Sequence, residues 1–130
     1  MLDFLELEQR LKQFPDIKFI AHGPYWWANI STNQLYRKYP KAKIKKEGII
    51  IRLLTEYDNL YCDLSGLGAY NALRRDTEFI KNFCRKFQNK VLFGTDNYEF
   101  GQIKFLKKLF FSDELFDKIT KQNILNILDI

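Results

Sequence analysis

The stretch Lys90-Val91-Leu92-Phe93-Gly94-Thr95-Asp96 runs from an uncharged apolar segment into a glycine, a hydroxyl and a carboxylate. Its apolar part is short enough for a strand buried on both faces. Such a strand, carrying polar groups at its C-terminal end, points to the working edge of an α/β sheet, where ligands usually bind. Read alone, Asp96 serves either as a site residue or as the cap of a turn or of the next helix. A second stretch ends alike: Ile17-Lys18-Phe19-Ile20-Ala21-His22-Gly23 runs apolar into the only histidine of the chain.

Outward from these two, Leu60-Tyr61-Cys62-Asp63-Leu64-Ser65 reads as a further strand. Leu60, Cys62 and Leu64 fall on one side of it, Tyr61, Asp63 and Ser65 on the other. Gly66 and Gly68 are expected to end it in a loop. Helical spacing of apolar residues fills the intervals, over 2–14, 48–57, 77–87, 101–111 and the C-terminal stretch from 113. Asp76 or Thr77 is expected to cap the third of these and Ser112 the last. Pro15-Asp16 stops the first helix, and Gly23-Pro24 breaks regular structure before Tyr25-Trp26-Trp27, of which some line a cavity or pack under a loop.

Strands at roughly 17–22, 60–65 and 90–95 alternating with helices predict an α/β fold with a parallel sheet covered by helices. All 130 residues fit one domain. In a parallel sheet the strand ends share one edge, so His22, Asp63 or Ser65, and Asp96 converge.

Composition narrows the function classes. A hydrophobic fraction of 46% and an aromatic fraction of 16% argue for a packed core. The net charge of +5 is spread along the chain among 16 acidic residues, which does not favour nucleic acid. Residues 37–46 concentrate Arg37, Lys38, Lys41, Lys43, Lys45 and Lys46 around Tyr39 and Pro40. A solvated loop is the first reading, with a phosphate-contacting patch or the anionic group of a substrate as alternatives. Cys62 and Cys84 belong to no CxxC or His/Cys cluster and behave as small apolar residues, which predicts a reducing, cytoplasmic setting. A leader or a membrane span is not expected, and the sequon Asn29-Ile30-Ser31 is read as chance.

A histidine and an aspartate at neighbouring strand ends suit a divalent metal or acid/base work on water. A catalytic zinc needs three protein ligands and an open position, and one histidine without clustered cysteines does not complete that set. A Gly-x-Ser-x-Gly elbow and a dinucleotide fingerprint are both missing.

Phe19-Ile20-Ala21-His22-Gly23-Pro24, Asn59-Leu60-Tyr61-Cys62-Asp63-Leu64-Ser65 and Leu92-Phe93-Gly94-Thr95-Asp96 together resemble the C-terminal part of amidohydrolase-related proteins. These are metal-dependent TIM (β/α)8-barrel enzymes that include the aminocarboxymuconate-semialdehyde decarboxylase-like branch. Tyr39-Pro40-Lys41, residues 70–76 and residues 119–124 with Asn123 support the resemblance. It implies a partial barrel in which His22 ends the sixth strand and Asp96 the eighth. It further implies that Asp96 is a metal ligand able to handle a proton, and that His22 sits beside the metal as a catalytic group and a less certain ligand. The cofactor would be a divalent metal, zinc by resemblance, in a completed site acting on a small carboxylate or amide by hydrolysis or non-oxidative decarboxylation.

The family's His-x-His strand has no counterpart here, and a barrel takes typically ~250 residues. The chain is therefore expected to be a C-terminal portion, as a truncated frame or half of a split enzyme, inactive alone. Its partner would be a missing N-terminal half-barrel, or other copies joined through open sheet edges. A non-catalytic remnant acting as an assembly module is the alternative.

Overall fold

The computed structural model describes residues 3–33, 35–110 and 114–130. Helix α1 (Phe4–Gln13) starts at Asp3, whose side chain accepts from the Glu6 amide at 3.1 Å. It leads into β1 (Phe19–Ala21), a short helix α2 (Pro24–Ala28), α3 (Ile49–Glu56), β2 (Leu60–Asp63), α4 (Gly66–Arg75), α5 (Thr77–Lys86) and β3 (Val91–Leu92). After α6 (Gln102–Phe110) the last helical run is α7 (Glu114–Asp117), a π-helical turn (Lys118–Gln122) and α8 (Asn123–Leu128). Asp76 caps α5 by accepting from the Phe79 amide, as its position predicts. Ser112 lies outside the described residues.

The three strands form one parallel sheet in the order β1-β2-β3, with Phe19 opposite Leu60, Ala21 opposite Cys62, and Asp63 opposite Leu92. The protein is thus a mixed α/β fold with a small open sheet and flanking helices. Leu60, Cys62 and Leu64 are fully buried, whereas Tyr61 and Asp63 are half-buried, so the alternation seen in the sequence is the alternation of the strand. Ile50, Leu53 and Leu54 of α3, Ile80, Phe83 and Cys84 of α5, and Trp26 and Trp27 of α2 belong to the same continuous core. Among the described residues, β1 and β3 each keep one edge without a strand neighbour. No helix among them is long and apolar enough to cross a membrane.

Three local expectations change. The strands are shorter than 17–22, 60–65 and 90–95, because backbone groups at their ends are taken elsewhere. The Ile17 amide turns back to the Phe14 carbonyl, and the Phe93 amide donates to the Ile119 carbonyl at 2.9 Å and not to a strand. Gly66 and Gly68 do not open a loop but begin α4, which the sequence reading missed. A Cβ on Gly68 would lie 2.5 Å from Pro24 Cα, so the glycine is what lets α2 lie against α4. Pro24 starts a helix where it was expected only to break one, since a proline at the first helical position lacks an amide that would be unpaired anyway. In that helix Trp26 and Trp27 are core residues and Tyr25 points to solvent, so packing accounts for the two tryptophans.

Candidate functional site

Parallel pairing brings the three carboxyl ends of the strands to one edge. His22 follows β1 directly, Asp63 closes β2, and Asp96 lies in the loop after β3. His22 Nδ1 stands 2.9 and 3.1 Å from the two carboxylate oxygens of Asp63. Ser65 Oγ donates to Asp63 Oδ1 at 2.7 Å, and the Ser65 amide approaches the same oxygen at 3.3 Å. On the other side of the ring, His22 Nε2 lies 3.6 Å from Asp96 Oδ2. The histidine is held between two carboxylates.

This arrangement assigns the ring nitrogens. With both Asp63 oxygens facing Nδ1, the proton of a neutral imidazole sits on Nδ1 and the Nε2 lone pair faces Asp96, an assignment made from the bonding pattern. A lone pair opposite a carboxylate is repulsive unless a cation or a proton lies between them. The pair is therefore a place for positive charge.

The supports are unequal. Ser65 is buried, and the Trp27 indole Nε1 donates to the Asp63 carbonyl at 3.0 Å, which ties α2 to the end of β2. Gln102, fully buried, donates to the Gly66 carbonyl at 3.1 Å and accepts from the Phe100 amide at 2.8 Å, joining the start of α4 to the loop after β3. Asp96 adopts a left-handed backbone conformation with φ 59°, one that aspartate tolerates better than most residues. Its side chain is 50% exposed and that of His22 is 45% exposed, so the cluster is an open shelf and not a closed pocket.

The alternative role for Asp96 as a helix cap is taken by another residue. Glu99 Oε1 accepts from the amides of Gly101 and Ile103 at 2.9 and 3.0 Å, at the start of α6. Asp63 and Ser65, left as two possibilities in the sequence, both meet His22 Nδ1, Asp63 through its carboxylate at 2.9 Å and Ser65 through its hydroxyl at 3.1 Å. Their place on the polar side of an alternating strand was the available signal.

Searches against protein-family models, curated proteins and solved structures match nothing.

The donor set can be measured against a zinc site. Metal–nitrogen and metal–oxygen bonds of ~2.0–2.2 Å allow one ion to bridge donors up to about 4 Å apart, and Nε2 and Oδ2 fall within that span. A carboxylate on the far nitrogen of a ligating histidine is the usual outer support, and Asp63 supplies it. Two donors remain short of three, and no group of three among the described residues can hold a metal ion. The shelf fits part of a metal site.

Proposed function

We propose that this chain carries the His22–Asp96 side of a metal-dependent, amidohydrolase-type active site, and that the three strands are a portion of a (β/α)8 barrel. The observation that carries the reading is the histidine clamped on Nδ1 by Asp63 while its Nε2 faces Asp96 at 3.6 Å, at the carboxyl edge of a parallel sheet. In such barrels the catalytic groups come from the ends of several different strands. Nε2 of His22 and Oδ2 of Asp96 would hold the cation, with further donors supplied from outside the described residues. A bound divalent ion, zinc by resemblance, supplies Lewis-acid activation of water and of a substrate carbonyl.

The roles of the chain's own residues follow from their contacts. Asp96 offers one oxygen toward the cation and the other as a proton acceptor. His22 would present Nε2 to the cation while Asp63 retains the Nδ1 proton, which leaves handling of the water's proton to Asp96. Ser65 keeps Asp63 from rotating away. A small carboxylate or amide, hydrolysed or decarboxylated, is the substrate class. In a completed barrel, further strands would close the open shelf and cover the free edges of β1 and β3.

Cobalt(II) titration of the chain, alone and mixed with a candidate N-terminal half-barrel, tests this. Visible absorption reports donor number, and hydrolysis of small amide and carboxylate ester panels reports activity. Asp96→Ala and His22→Ala should each weaken cobalt binding at least about tenfold. Equal cobalt binding by Asp96→Ala would remove the ligand role.

The two open sheet edges favour a second reading, a non-catalytic module that associates through them. Light scattering over a range of concentrations tests it. A monomer at every concentration would sink the assembly reading.

A further inference from the structure

Away from the strand ends, the 40–42 segment meets the last turn of α4 around a pocket of about 240 Å³ lined by Lys41, Asn71, Arg74 and Arg75. That volume lies below the ~300–1,000 Å³ of pockets for drug-sized molecules and suits a smaller ligand. Three of the four lining residues are cations and none is acidic.

Arg75 is the unusual member. It is 6% exposed, with Nε donating to the Ala42 carbonyl and Nη2 to Ser31 Oγ, both at 2.8 Å. These are neutral acceptors. Its Nη1 is buried with no hydrogen-bond partner among the described residues, and no carboxylate there forms an ion pair with the guanidinium. The adjacent carboxylate, Asp76, is occupied by the amides of Phe79 and Ile44. Burial lowers the Arg75 pKa from its usual value, only partly countered by the charge of Asp76. A buried cation with no carboxylate in contact is costly, and native structures usually pair such groups with an acceptor.

The neighbours are organised for charge. Asn71 Nδ2 donates to the Pro40 carbonyl at 2.7 Å and so fixes the loop against α4. The Arg74 guanidinium lies over the Tyr70 ring at 5.0 Å, which restrains it beside the pocket.

We infer that this pocket is a binding site for a small tetrahedral oxyanion, a free phosphate or the phosphate of a monoester, held by Arg74 and Lys41 with the buried charge of Arg75 in the pocket wall behind them. The site is independent of the metal-facing shelf, because none of its residues takes part there. It also gives the basic 37–46 segment a role beyond solvation: Lys41 serves the pocket while its neighbours raise the local potential.

Calorimetric titration of the full chain with inorganic phosphate and, separately, with glycerol phosphate in low-salt buffer tests the proposal. Saturable one-to-one binding with a raised melting temperature is expected, weakened at least about tenfold in the Lys41→Ala/Arg74→Ala double variant. Both side chains are exposed, so the double variant is expected to stay folded, with circular dichroism as the check. Arg75→Lys, which keeps the charge and loses the fork, should weaken binding as well. Glycerol phosphate binding at least about tenfold tighter would assign the site to an ester, and equal binding would assign it to the free anion. Absence of saturable binding by the wild type, or equal binding by the double variant, would overturn the proposal. So would an oligonucleotide that binds and is not displaced by phosphate, since that would make 37–46 an extended electrostatic surface and not a pocket.

Discussion

The two ends of the sheet treat polar groups in opposite ways. At the amino end Lys90, Asn59 and Asn123 are spent on the backbone. Lys90 Nζ donates to the carbonyls of Leu54 and Tyr57, both at 2.7 Å, closing the end of α3. Asn59 Nδ2 reaches the carbonyls of Leu11, Phe14 and Ile17, and Asn123 Nδ2 reaches those of Gln88 and Val91. At the carboxyl end His22 and Asp96 face each other half exposed, with Nε2 and a carboxylate left for something else. One edge holds the fold, and the other keeps donors in reserve. This is the division found in α/β barrels, where stability residues gather at the bottom of the strands and chemistry at the top.

Asn123→Ala should break the comparison most sharply on the stability side. Asn123 is 2% exposed, and its loss strands two carbonyls and leaves a cavity, for an expected cost of about 2–3 kcal/mol in urea denaturation. Cobalt binding by the folded fraction should be unchanged. A loss of metal binding at constant fold would join the two edges that the comparison separates.

Asp63→Asn should do the reverse. Asp63 is only 22% exposed, yet Ser65 and His22 can still bond to an amide, so the expected stability loss is about 1 kcal/mol. Cobalt affinity should fall about tenfold or more, because the Nδ1 proton is no longer fixed. A variant that unfolds by several kcal/mol would place Asp63 among the structural residues.

Glu8 offers a milder probe of the structural side. Arg52 donates to both Glu8 oxygens at 2.8 and 3.0 Å and Tyr57 adds a bond at 2.9 Å, joining α1 to α3. These bonds, Arg52 first and Tyr57 second, hold the Glu8 carboxyl at about 2, against its usual 4.5. A depressed carboxyl pKa stabilises the fold above the unfolded value and loses that stability on acidification. The contribution is therefore complete above about pH 4.5 and disappears as the pH falls toward 2. Arg52 is 44% exposed, so solvent screening limits the pair to about 1 kcal/mol. Glu8→Gln should flatten stability against pH in that window and leave it lower at neutral pH.

The smallest effect concerns the two thiols. Burial drives the Cys62 pKa well up and pushes that of Cys84 to about 12. Neither should react with a thiol reagent in the native state at neutral pH, and both should react in denaturant. Fast native labelling would show that the core opens locally.

How much of this could be read in the sequence differs by residue. The parallel sheet and its helices were legible because strand and helix periods differ, and Leu60 to Ser65 shows the period of two directly. The convergence of His22 and Asp96 followed from topology, since parallel strands share an edge. Helix α4 was hidden by two glycines that propensity assigns to a loop. Their use lies in contact with Pro24, which only packing reveals. The unpaired nitrogen of Arg75 was equally invisible, because the sequence shows a basic residue among others and not which cation is buried without an anion. Sequence alone determined the periodicities and the residue types at the strand ends, because both are local properties of the chain. Tertiary structure decided which side of His22 meets Asp63 and which meets Asp96. It also released Asp96 from capping by giving that task to Glu99. These are distances between residues 22, 63, 96 and 99, and they exist only once the strands are side by side.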